Sequence, residues 1–113
     1  MTNVEFKSTD DRYIVSITGH AEFAPAGTPD IVCSACSCLT YTLLQALLKA
    51  QYNQKIAWLD QMIDPKPGEF HAEIVPTAEA AAEVFAILDV ISDGFALLQQ
   101  QYPENVACKW GEN

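Results

Sequence analysis

Two stretches of this sequence place apolar residues at steps of three and four: Val32, Cys36, Leu39, Leu43, Leu47 and Ala50, then Val84, Leu88, Ile91, Phe95 and Leu98. Each spacing makes one apolar stripe along a helix, and a striped helix must bury that stripe against another element. Short strands supply the surface. Val4-Glu5-Phe6-Lys7 and Arg12 to Thr18 read as a hairpin, the second strand alternating Tyr13, Val15 and Ile17 with Ile14, Ser16 and Thr18 around a polar turn at Ser8 to Asp11. Ile56-Ala57-Trp58-Leu59 and Phe70 to Val75 form a second hairpin across Pro65-Lys66-Pro67-Gly68, and the extent of the third strand towards Ile63 is left open. Val106 to Trp110 closes the order ββαββαβ. The expectation is an α+β fold in two layers: one mixed or largely antiparallel five-stranded sheet with two helices on a face, filling 113 residues as a single domain, 1–113.

The helix ends carry their own signals. Thr28-Pro29-Asp30 starts the first helix, with either Asp30 or Thr28 as N-cap; both choices put Cys33 within the first turn or just past it. Thr77 is the expected N-cap of the second helix, Tyr102-Pro103 its stop, and Gly94 a weak point within it. Between Gly19-His20 and the first helix, Ala21, Glu22, Phe23, Ala24, Pro25, Ala26, Gly27, Thr28 and Pro29 read as a loop open to several conformations.

Fifteen acidic residues against six scattered basic ones give a net charge of -9. Without a cluster of Lys or Arg there is no phosphate-binding patch, so direct nucleic-acid binding is disfavoured, while a basic protein or peptide would be attracted. Solubility alone accounts for the charge equally well. No basic region precedes a long apolar run at Met1 to Phe6, and no stretch reads as a membrane span free of polar breaks; the expectation is a cytoplasmic protein with no membrane partner. Three of the four cysteines crowd at positions 33, 36 and 38, with Cys108 far along the chain, so chemistry or burial explains them better than a disulfide framework.

Cys33 leads the chemical candidates, because the unpaired N–H groups of a helix start favour thiolate, the reactive form. Its face of the helix, shared with Ser37 four residues on, is displaced from the apolar stripe that takes Cys36 into the core. His20, at a strand end beside Gly19, can emerge above a sheet edge and meet a helix-start thiol as nucleophile and base. Burial in the core is the plainer role for a cysteine. Cys33-x-x-Cys36 has the spacing of a thiol redox motif, but the chain lacks a βαβ start and Ser34-Ala35 is not a usual intervening pair. Cys33, Cys36, Cys38, Cys108, His20 and His71 offer metal donors without a second closely spaced pair, so no metal and no cofactor are expected. His71 reads as exposed, and Asp60, Asp64 and Glu69 as solvated residues flanking a turn.

Gly19-His20-Ala21, the Pro/Gly loop, and Asp30-Ile31-Val32-Cys33-Ser34-Ala35 with Ser37 one turn later resemble the ribosomal-processing cysteine protease family, Prp. The resemblance extends to the strand and helix order over essentially the whole chain. It implies an endopeptidase that removes a short N-terminal extension from large-subunit ribosomal protein twenty-seven, cytoplasmic and homodimeric, with Cys33 as nucleophile and His20 as its partner. Gly19, Asp30 and Ser37 become supporting residues, and residues 21–29 a mobile loop over the substrate. Cys36 and Cys38 depart from the small or aliphatic residues more usual there. That departure leaves room for a redox protein, and a non-catalytic factor that binds a basic ribosomal segment is the other alternative. Asp30 can orient His20 or only cap the helix, and Ser37 can serve the site or bond its own helix backbone. Backbone N–H groups near the helix start are the expected oxyanion donors.

Overall fold

The alternation in the first hairpin sets the core. In the computed structural model, which describes residues 1–65 and 68–112, β1 (Thr2–Ser8) pairs antiparallel with β2 (Tyr13–Thr18), Val4 opposite Ile17 and Phe6 opposite Val15. These apolar pairs share one face of the sheet, because successive side chains of a strand point to opposite sides. Lys66 and Pro67 of the second hairpin's expected turn lie outside the described residues.

The remaining elements are α1 (Ile31–Tyr52), β3 (Ile56–Asp64), β4 (Glu69–Pro76), α2 (Ala81–Gln101) and β5 (Val106–Glu112). The sheet order is β3-β4-β2-β1-β5; β1 with β5 is the parallel pair, and the other three neighbours are antiparallel. The fold is α+β with a mixed five-stranded sheet and two helices, in the order the sequence predicts. Phe6, Phe70, Ile74, Leu43, Leu47, Leu88 and Phe95 are fully enclosed between the sheet and the helix stripes.

Three local readings change. The third strand runs the full length to Asp64, and an irregularity between Ile56 and Trp58 resets its alternation, which hides the strand from a periodicity test. Thr77 does not cap α2 directly: its hydroxyl accepts from the Ala80 N–H at 3.3 Å, closing a turn before the helix starts at Ala81. Contrary to the sequence reading, α1 is long and apolar enough by length and composition to cross a membrane; here Val32, Cys36, Thr40, Leu43, Leu47 and Ala50 are buried along its inner side. Gly94, the expected weak point, lets α2 lie close to α1, since a Cβ there would stand 2.8 Å from the Leu39 side chain.

Leu43 has no exposed surface, so Leu43→Ala is expected to destabilise the fold by about 2–5 kcal/mol through lost burial and a residual cavity. Urea unfolding should show a lower midpoint with an unchanged slope.

Candidate active site

The start of α1 is organised by one carboxylate. Asp30 has an extended backbone (φ -119°, ψ 106°), and its Oδ1 accepts from the N–H groups of Val32 at 3.0 Å and Cys33 at 2.9 Å. Its Oδ2 accepts from Phe23 N–H at 2.8 Å and Ala24 N–H at 3.0 Å, in the preceding loop. Four backbone donors thus converge on one side chain, which ties the loop to the helix end. These bonds, the Cys33 N–H foremost and then the Ala24 N–H, hold the Asp30 carboxyl below its ordinary pKa. Thr28, the other cap candidate, turns its hydroxyl to the Pro25 carbonyl at 2.6 Å instead. Asp30 is therefore the N-cap, with its acceptor sites filled by backbone.

The other side of the site rests on two glycines. Gly19, at the end of β2, has φ +91°, and a Cβ on it would collide with the Met1 carbonyl. Its N–H donates to the Gly68 carbonyl at 2.8 Å. Gly68, with φ +73°, would place a Cβ 2.6 Å from the Gly19 oxygen and 3.0 Å from Cε1 of His20. The close backbone approach that the glycine allows is therefore to the chain's own strands, and the seam sets where the exposed His20 ring lies.

His20 and Cys33 line one cavity of about 120 Å³, together with Gly19 and Ser37. Cys33 is half-buried, Ser37 exposed and Cys36 only 5% exposed, yet all three belong to the same wall. The sequence did not mark Thr2, Thr40, Tyr41, Ile63, Gly68 or Glu69 as site residues, yet they share the lining. Glu69, expected to be merely solvated, is half-buried there and lies 4.0 Å from Nε2 of His71. None of residues 21–29 lines this cavity: Ala21 is buried with its carbonyl held by Nδ2 of Asn105 at 2.9 Å, and the Phe23 ring meets Tyr102 edge-on at 5.2 Å. Among the described residues, no three His, Cys, Asp or Glu side chains converge as a metal-holding group.

Residues 1–107 match the family model described as cysteine protease Prp. The chain belongs to the Prp cysteine protease family. The fold of this Prp protein is also that of solved structures. It superposes on the essential ribosomal processing protease Prp from S. aureus bound to a covalently linked product peptide with a TM-score of 0.77, at 23% identity over 98% of this chain and 100% of that one. The same S. aureus protein with a substrate peptide gives a TM-score of 0.73 at 22% identity, again over 98% and 100%. A Streptococcus mutans protein gives 0.72 at 23% identity over 100% of this chain and 96% of that one. A comparison with curated proteins finds no match.

One expectation about this Prp protease changes. The N–H groups of Val32 and Cys33 are taken by the Asp30 side chain, and that of Ser34 by the Asp30 carbonyl at 2.9 Å, so the first turn does not offer them to a substrate oxygen.

Two outcomes follow from this geometry. Because the folded pKa of Asp30 is depressed, its contribution to stability is present above the ordinary value of 3.8 and is lost as pH falls below it. Asp30→Asn should lower the melting temperature near neutral pH, with the gap to the wild type narrowing in acid. Gly68→Ala should lose about 1–3 kcal/mol of stability and disturb His20, measured by urea melts and peptide cleavage. Gly27→Ala, also at positive φ but with nothing within 4 Å, should leave cleavage much less affected.

Proposed function

We propose that this cysteine protease removes a short N-terminal extension from large-subunit ribosomal protein twenty-seven, with Cys33 as nucleophile and His20 as base. The observation that carries the assignment of residues is the shared cavity: a helix-start thiol and a strand-end imidazole, from separate elements, line one recess. The substrate reading rests on membership of the family, on the ribosomal processing role named for the S. aureus relative, and on the net charge of -9, which suits a basic ribosomal partner. The chain acts as one domain, in the cytoplasm and as a homodimer, as the family resemblance implies.

In the first step His20 takes the Cys33 proton, or holds the thiolate as an ion pair, and the sulfur attacks the scissile carbonyl. His20 then protonates the departing amine. Water, deprotonated by the same imidazole, releases the acyl-enzyme and restores the thiol. The Thr40 hydroxyl already donates to the Cys36 carbonyl at 2.8 Å. We assign the acyl oxygen's donor to Ser37, one turn beyond Cys33 on the same wall. Gly19 and Asp30 support the site through backbone, and residues 21–29 close over the bound extension.

Cys33→Ala and His20→Ala should each abolish cleavage of a peptide spanning the extension, with circular dichroism unchanged. Ser37→Ala should lower kcat by roughly 100-fold. Full activity in the Cys33 or His20 variant would overturn the assignment, and peptide binding without product, followed by mass spectrometry, would favour a binding factor.

A further inference from the structure

Cys36 is the reactive group in this cavity that proteolysis leaves unused. It stands three residues after Cys33 on α1, and both are free thiols on the wall of the same recess. An ideal helix puts the Cα atoms of such a pair about 5 Å apart, inside the 4.4–6.8 Å range that a disulfide accepts. The Cβ atoms start about 5–6 Å apart and must approach to about 4 Å, so the first turn has to give slightly. The Cys33 N–H is held by the Asp30 side chain and not by a helical carbonyl, so on that side a shift of Cys33 strains the cap and not the ladder.

The surroundings of the two sulfurs differ. Cys33 is half-buried at the mouth, whereas Cys36 is enclosed. Burial raises the pKa of the Cys36 thiol, against a hydrogen bond with Thr2, and charge on Cys33 raises it further, so the two sulfurs sense each other. Neither remaining cysteine competes for Cys33. Cys38 is exposed and outside the cavity lining, and Cys108 points its thiol at the Ser92 carbonyl at 3.9 Å.

We propose that Cys33 and Cys36 are an oxidisable pair in which Cys33 attacks a hydroperoxide and Cys36 resolves the product as a reversible intrahelical disulfide. The inference rests on Cys33 being the reactive thiol of the proposed function. The Cys33 thiolate takes an oxygen from the peroxide, which leaves as an alcohol or water after protonation, and becomes a sulfenic acid. The Cys36 sulfur then attacks the Cys33 sulfur; the S–O bond breaks, the S–S bond forms, and the Cys36 proton leaves with the hydroxyl as water. A dithiol reductant opens the disulfide by exchange: it becomes a disulfide itself and returns two electrons and two protons to Cys33 and Cys36 as thiols. Strain in the closed turn makes the bond readily reducible. While it lasts, the protease has no nucleophile, and Cys33 cannot proceed to sulfinic acid.

The test uses the full chain, reduced and then treated with hydrogen peroxide, denatured in an alkylating agent and weighed. The wild type and a Cys38→Ser form should lose two hydrogens, with Cys33 and Cys36 protected from alkylation and Cys108 modified, and dithiothreitol should restore both thiols. In Cys36→Ala, Cys33 should gain two oxygens as sulfinic acid roughly tenfold faster than in the wild type, beyond rescue by dithiol. Sulfinic acid formed at equal rates in both, with no protected pair in the wild type, would overturn the proposal. The wild-type mass needs no variant to fold and no cleavage assay. Should Cys33→Ala still cleave peptide while the wild type forms the pair, the nucleophile assignment fails and the oxidisable pair stands.

Discussion

Everything about the site hangs on the four hydrogen bonds to Asp30. A helix start leaves N–H groups without partners, and a loop rich in Ala, Pro and Gly has few side chains besides Thr28 to hold its own backbone in place. One carboxylate answers both needs. Its two oxygens take the donors of Val32 and Cys33 on one side and of Phe23 and Ala24 on the other. The thiol is thereby fixed in relation to the strand end that carries His20. The same bonds occupy the Val32 and Cys33 N–H groups, so those two donors are not open to a ligand in the recess.

The opposite wall is made of backbone. Gly19, just after β2, and Gly68, just before β4, are joined by a backbone hydrogen bond, and neither tolerates a side chain: Gly68 is closed off by the Gly19 oxygen and Gly19 by the Met1 carbonyl. A seam of this kind is stiff, because there is no rotamer to adjust and both glycines are held at positive φ. Cys33 is thus positioned by a charge-assisted cap and His20 by steric exclusion. Those two devices respond to different perturbations: acid weakens the cap, and added volume breaks the seam.

Much of this was legible from residue order. The steps of three and four from Val32 to Ala50 and from Val84 to Leu98 marked both helices, and the alternation around Val15 marked a central strand. β3 was legible only at its beginning, since an edge strand with most of its side chains exposed has no reason to alternate, and its irregularity at Ile56 and Trp58 breaks what pattern there is. Thr77 misled because a residue with good cap chemistry can close an isolated turn just before a helix. Cys33 and His20 were visible as residue types at a helix start and a strand end. Their shared recess depends on β4 lying beside β2, a long-range pairing; Gly68 and Glu69 enter the wall for that reason, and Thr2 because β1 lies on the other side of β2. The choice between Thr28 and Asp30 as cap was a matter of which side chain the loop needed for itself.

The parallel pairing of β1 with β5 joins segments from near the two ends of the sequence, Val4 lying opposite Cys108. Thr2 N–H bonds the Asn105 carbonyl at 2.9 Å, and the Asn105 amide in turn holds Ala21. The wall that Thr2 contributes, and the start of the loop at Ala21, gain these anchors only after residues around Asn105 have emerged and docked. Contacts so distant along the chain form slowly, because the closure entropy is met before any of them is gained. For a protease, that order of assembly has a consequence: the recess lined by Cys33 and His20 is completed only once the far end of the sheet has paired, well after both residues have been made.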